Sequence, residues 1–206
     1  DLQSKFEEFE SYSPVVQWST VRLMLILSIV HGLHTRQVDY VNAFAQADLD
    51  KEVFIEVPQG YQHLNDQDCV LKLHKSLYGM SDAPLIFFEL LKKNLLDVGF
   101  KQMEHINPCL FIHKKAICLT YVDDCLWFGR DEAALDALIA QMKKRMDLKV
   151  ESKDVLAFLG IQFTQHGDTI ELKQDGLIDK VISATGMADS NPVQVPAATK
   201  PLGKDP

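Results

Sequence analysis

The sequence predicts an α+β fold in which helices cover one face of a mainly antiparallel sheet. Three observations lead there. Short β-type runs cluster within residues 36–57 and 109–129, parted by turn-length polar breaks. Two longer segments, 82–98 and 131–146, space their apolar residues as helices do. No internal repeat or low-complexity run divides the 206 residues, so one domain is the economical organisation.

Residues 1–12 are polar and acidic and read as a linker or frayed end before a domain over 13–190. Ser19 is placed to N-cap an apolar helix running to about Leu33, with Gly32 near its end. His31 and His34 sit at that end; a metal pair is one reading, and favourable histidine placement at a helix C-terminus is the simpler one. A strand follows over 36–41 with Asp39 inside it. Glu52–Val57 alternates as a half-exposed strand, Pro58-Gln59-Gly60 breaks it, and Cys69–Leu73 resembles its partner.

From Asp82, with Pro84 in the first turn, a helix runs to Val98, and Gly99 stops it. Leu85, Phe88, Leu91, Leu95 and Leu96 share one face of it. Cys109–His113, Ala116–Val122 and Cys125–Gly129 are β-type runs, broken only by Lys114-Lys115 and Asp123-Asp124. Asp131 opens a second amphipathic helix to about Met146, with Leu135, Leu138, Met142 and Met146 inward. Leu156–Thr164 and Thr169–Lys173 form a hairpin around His166-Gly167-Asp168. A short helix follows, and residues 191–206 read as an extended Pro-rich tail.

Composition excludes several classes. With 47% hydrophobic and 24% charged residues the chain can build a real core, which excludes a disordered segment. Its four cysteines form no CxxC pair, so neither a zinc cluster nor a redox motif is indicated, and reduced thiols are expected. Lys and Arg number 21 against 29 Asp and Glu, a net charge of -8 that opposes stand-alone nucleic-acid binding. The apolar stretch Leu23–Val30 is too short to span a bilayer, so no membrane partner is expected. The chain does not begin with Met and reads as a piece of something longer.

Asp123-Asp124 is the strongest anomaly. Two adjacent carboxylates interrupt an apolar run from Ile117 to Phe128. A solvated turn accommodates acids, yet a tight hairpin turn usually offers a glycine, and none is here. Like charges at a buried hairpin tip are costly unless a cation neutralises them. Asp39, also embedded in an apolar strand, is a natural third carboxylate. Together the three could bind two divalent metals, as in-line phosphoryl or nucleotidyl transfer requires.

Tyr121-Val122-Asp123-Asp124 has the YVDD form of a polymerase palm motif, and Gln37-Val38-Asp39 with Ala43-Phe44 has the form of a first catalytic motif. Asp48–Glu52, Val57–Tyr61, Lys75–Gly79, Ala83-Pro84, Phe158–Ile161 and, upstream, Ser13–Val16 complete the set. On these residues the chain resembles the reverse transcriptases of copia-type LTR retrotransposons, in order and spacing from about residue 12 to residue 204.

The resemblance implies an RNA-directed DNA polymerase fold: a palm with its connection toward the thumb, and fingers largely outside this chain. It implies Asp39 and Asp123 as main ligands of two Mg²⁺ ions (Mn²⁺ as a substitute), with Asp124 beside them and the Tyr40 backbone carbonyl adding a ligand. Phe44 matches the family's sugar gate against a ribose 2′-hydroxyl; the bland reading is a core aromatic on a short helix. Tyr78 and Gly79 are implied to floor the nucleotide pocket, Tyr121 to pack beside the primer end, and Phe158, Leu159 and Gly160, with Ile161, to form the hairpin that grips the primer.

The implied partners are an RNA template, a DNA or RNA primer, dNTPs, and the fingers, RNase H and integrase of a parent Pol polyprotein. The implied location is the cytoplasm, in a virus-like particle, or the nucleus. Met80-Ser81-Asp82-Ala83-Pro84-Leu85 departs from the family's L-K-Q-A-P-R: both basic residues are gone and an acid has entered. Two other readings stand beside the polymerase. One is a palm-type nucleotidyl cyclase, which accounts for the aspartates but not for the Tyr78-Gly79 and Phe158–Gly160 boxes. The other is a degenerate, non-catalytic remnant acting as a binding module, which the change at 80–85 motivates.

Overall fold

The computed structural model describes residues 13–61, 69–152 and 157–191, so the expected linker at 1–12 and nearly all of the tail at 191–206 lie outside the described residues. The main sheet is built on β1 (His34–Tyr40), second from one edge, whose burial alternates: Arg36, Val38 and Tyr40 are buried while Thr35, Gln37 and Asp39 are only partly covered. β7 (Asp124–Gly129) pairs with one edge of β1 and β8 (Leu148–Ser152) with the other. Beyond β7 come β6 (Ile117–Tyr121), β5 (Leu110–Ile112) and β4 (Lys101–Gln102). The six-stranded sheet has the order β4-β5-β6-β7-β1-β8 and is antiparallel throughout.

Two helices cover the Arg36, Val38 and Tyr40 face, as expected. α3 (Ala83–Asp97) sets Phe87 edge-on against Tyr40, with ring centroids 5.7 Å apart, and Phe88 against Phe111 at 6.5 Å. α4 (Glu132–Lys143) turns Leu135, Leu138, Ile139 and Met142 inward. Asp131 caps α4 as the sequence suggests, its carboxylate accepting from the Ala134 N–H at 3.1 Å. The buried Arg36 guanidinium donates to Asp136 at 2.9 Å and to Glu132 at 2.7 Å, which ties α4 to β1.

The remaining elements flank this layer. α1 (Trp18–Val30) begins before Ser19, because the Thr20 and Val21 N–H groups both donate to the Gln17 carbonyl; Gln17, not Ser19, holds the cap position, with no side-chain bond. β2 (Asp48–Glu56) and β3 (Val70–Lys75) form a separate hairpin. The strand expected over 156–164 is instead divided. Leu159 and Gly160, at φ +52° and +75°, make a two-residue turn between β9 (Ala157–Phe158) and β10 (Ile161–His166). Positive φ at both central residues is the requirement of a type I′ turn. β11 (Thr169–Lys173) pairs with β10, and α5 (Asp175–Ala184) follows with no buried residue.

Three elements add to the expected order: β4, β8 and the single-turn α2 (Ala43–Gln46). Among the described residues no helix is long and apolar enough to cross a membrane. Cys109, Cys118 and Cys125 are free and buried, and burial pushes the Cys109 thiol up to about 11, as suits a packing rather than a reactive role.

Candidate active site

The antiparallel register brings the carboxylates together. Asp39 on β1 stands directly opposite Asp124, the first residue of β7. Next along the ladder the Tyr40 N–H donates to the Asp123 carbonyl at 3.2 Å, which makes Asp39 and Asp124 the closer, non-hydrogen-bonded kind of pair. Both belong to the sheet face away from α3 and α4, because Asp39 alternates with the buried Val38 and Tyr40. Tyr121 on β6 also faces Asp124 across the ladder.

The β6–β7 turn differs by one residue from the sequence expectation. Its central residues are Val122 and Asp123; Asp124 already belongs to β7. Val122 takes φ +50°, a conformation that glycine usually supplies at the first central position of such a hairpin. A β-branched residue held there stores strain on the order of 1 kcal/mol, and strain of that kind concentrates where a site is pre-organised.

Burial pushes the Asp124 carboxyl up to about 6, and the charges of Asp123, Glu151 and Asp39 push it the same way. Because the folded value is raised, the resulting contribution to stability is complete below about pH 4 and is lost as pH rises through about 6. In metal-free buffer, Asp124→Asn will therefore gain stability relative to the unmodified chain as pH rises across that window. Urea unfolding at several pH values checks this, and parallel curves for the two proteins would refute the assigned crowding.

Among the described residues no three His, Cys, Asp and Glu side chains converge into a set that could hold a metal ion. The carboxylates are nonetheless ordered as neighbours, and the repulsion that adds to the effect of burial on Asp124 is what a divalent cation would relieve. The donor set, hard oxygens only, fits such an ion.

A second group borders the carboxylates. Asn42 at φ +48° turns the chain out of β1 into α2, which presents Phe44. The Phe44 ring lies 4.4 Å from that of Tyr78 and 6.1 Å, edge-on, from that of Phe87. Leu77–Met80 is a turn closed by the Met80 N–H on the Leu77 carbonyl at 3.2 Å, with Gly79 third in it at φ +101°. That conformation, at the third position of a type II turn, selects glycine. A Cβ at Gly79 would meet nothing within 4 Å, so the backbone there is open to an approaching molecule. The Tyr78 hydroxyl is raised from its usual value by partial burial and then by Asp123; a hydrogen bond with the Ala43 backbone works against this, and Asp39 adds to the rise. Tyr78 thus joins the aromatic pair to the aspartates.

Not every expected residue faces the site alike. Phe158 is buried and meets Tyr121 edge-on at 6.4 Å, so its ring is core and only the Leu159-Gly160 turn beyond it is positioned to reach outward. Asp82, the acid in the divergent segment, is an ion-pair partner of Lys51. Sequence reasoning missed β8, whose Lys149 lies opposite Asp39 and whose Glu151 bears on Asp124. The alternation Leu148-Lys149-Val150-Glu151 was the available signal.

Residues 2–199 match the sequence profile of the reverse transcriptase (RNA-dependent DNA polymerase) family. The chain is 31% identical over 196 residues to the retrovirus-related Pol polyprotein from transposon RE2 of Arabidopsis thaliana, covering 93% of this chain and 13% of that protein. It is 28% identical to the corresponding polyprotein from transposon TNT 1-94 of Nicotiana tabacum, covering 92% of this chain and 15% of that one. It is also 28% identical to the transposon Ty1-H Gag-Pol polyprotein of Saccharomyces cerevisiae, covering 84% and 10%. The chain thus spans a small part of these relatives' length. Among solved structures it is similar to apo telomerase from Candida tropicalis truncated from its C-terminal domain, with a TM-score of 0.42 and 11% identity, over 77% of this chain and 40% of that one.

Proposed function

The chain belongs to the reverse transcriptase (RNA-dependent DNA polymerase) family, and on that premise we propose that it forms the catalytic palm of an RNA-directed DNA polymerase within a copia-type retrotransposon Pol polyprotein. The reaction is nucleotidyl transfer from a dNTP to the 3′-hydroxyl of a DNA or RNA primer on an RNA template. The observation that carries this reading is the register of Asp39 against Asp124, beside a strained turn bearing Asp123.

The family implies a divalent metal cofactor, and we assign two Mg²⁺ ions to Asp39 and Asp123, with Asp124 and the Tyr40 carbonyl beside them. When bound, such ions lower the pKa of the primer hydroxyl and neutralise the triphosphate and leaving pyrophosphate. The protein's own residues do the rest. Asp39 and Asp123 supply fixed negative charge where the ions must sit, which costs no reorganisation during the reaction. The Phe44 and Tyr78 rings form a wall against the sugar, and Gly79 leaves room for a base or sugar to approach. Tyr121 and the Leu159-Gly160 turn hold the primer end. The fingers, RNase H and integrase belong to the parent polyprotein, working in cytoplasmic virus-like particles.

The direct test is extension of a DNA primer annealed to an RNA template in Mg²⁺, using the chain extended through its source reading frame. Template-directed incorporation that stops on chelation is expected. A folded protein that binds the duplex but adds no nucleotide would favour the non-catalytic remnant.

A further inference from the structure

A cavity of about 440 Å³ lies at the end of the sheet remote from the aspartates, between the C-terminal half of α1, the β5–β6 turn and the start of α4. Asp124 and Gly129 are the two ends of β7, so the cavity is roughly 17 Å from the carboxylates. Its volume is that of sites that take small organic molecules. Its walls are apolar, with Met24, Leu27, Ile117 and Phe128 among them.

The charge around it is opposite to that of the molecule. Lys114, Lys115 and Arg130 line it, in a chain of net charge -8, and among the described residues none of the three makes an ion pair. His31 and His113 line it as well and offer imidazole nitrogens. Its acidic lining residue, Asp131, is already engaged in capping α4.

We infer that this cavity is a binding site for a single amphipathic anion, an apolar chain or ring system bearing a carboxylate. The apolar body fills the space between Leu27 and Phe128 and leaves water, while the acidic head meets Lys114, Lys115 and Arg130 at the rim. A concave site of this size favours one molecule over a membrane surface or a phosphate backbone, neither of which would enter it.

Dodecanoate, below its micellar range, is the probe, titrated into the 206-residue chain by calorimetry, with dodecanol and acetate as the uncharged and the tail-less controls. Saturable binding of dodecanoate, with both controls much weaker, is expected. Lys114→Glu with Lys115→Glu, and separately Arg130→Glu, should each weaken it by about tenfold or more, the worth of a charge-assisted hydrogen bond. Ala134→Trp, which fills the cavity from α4, should abolish it while thermal melting shows the fold retained. Equal affinity for dodecanol, or unchanged affinity in correctly melting charge variants, would overturn the inference. So would binding only to phosphatidylglycerol vesicles, or only to an oligonucleotide through the same lysines.

Discussion

Asp123→Asn will lower nucleotide incorporation by on the order of 10³ or more while leaving the sheet intact, because on the proposed assignment it removes charge from the centre that stabilises the reacting phosphates. The separation of effects follows from the geometry. It is the Asp123 backbone carbonyl that accepts the Tyr40 N–H at 3.2 Å, so the ladder survives the change of side chain. Asp39→Asn should behave alike, since Asn keeps both shape and strand register opposite Asp124. Asp124→Asn should cost less, because the proposed assignment sets Asp124 beside the main ligands rather than among them. Single-turnover primer extension, paired with thermal melting of each variant, measures both halves. Extension near the unmodified rate by Asp123→Asn would remove the metal assignment.

Phe44→Ala is expected to reduce discrimination between dNTPs and rNTPs by on the order of tenfold to a hundredfold, the usual worth of a contact that distinguishes one hydroxyl. The ring leans on Tyr78 at 4.4 Å and on Phe87 at 6.1 Å, and so is held in place rather than free to swing aside. On the proposed reading, removing it opens the space in which a 2′-hydroxyl would clash. The ratio of dNTP to rNTP incorporation efficiency reads this directly. Unchanged discrimination with a lowered melting temperature would make Phe44 a core residue only.

How far the sequence revealed the site depended on the range of the interaction. Asp39 and Asp123-Asp124 stood out because each interrupts a local apolar run, and a charge in such a run needs a reason that can be read without knowing the fold. The two main sheet-covering helices were legible from their spacing, and the Asp131 cap from its position. The turn register was not: a two-residue turn shifted by one position moves Asp124 from the tip into the strand, and no local pattern marks the difference. Leu159 in a left-handed turn was hidden for the opposite reason, since its side chain argues for a continuing strand. β4 has two residues and α2 four, too few to carry a period. The Phe44–Tyr78 and Lys51–Asp82 contacts join segments that only the fold brings together, so they were beyond any reading of spacing.

β1 also dictates when the carboxylate pair can exist. β1 is made early, yet both its neighbours in the sheet come late: Asp39 pairs with Asp124 of β7 on one side and with Lys149 of β8 on the other. During synthesis Asp39 therefore waits on a strand with two open edges, a template for mispairing, until β7 and β8 have left the ribosome. Closing such long loops is slow because the entropy is lost before the contacts form. A translation product that stops before residue 124 holds Asp39 with nothing opposite it. Truncated copies of this gene should thus yield no partial polymerase, only an aggregation-prone strand.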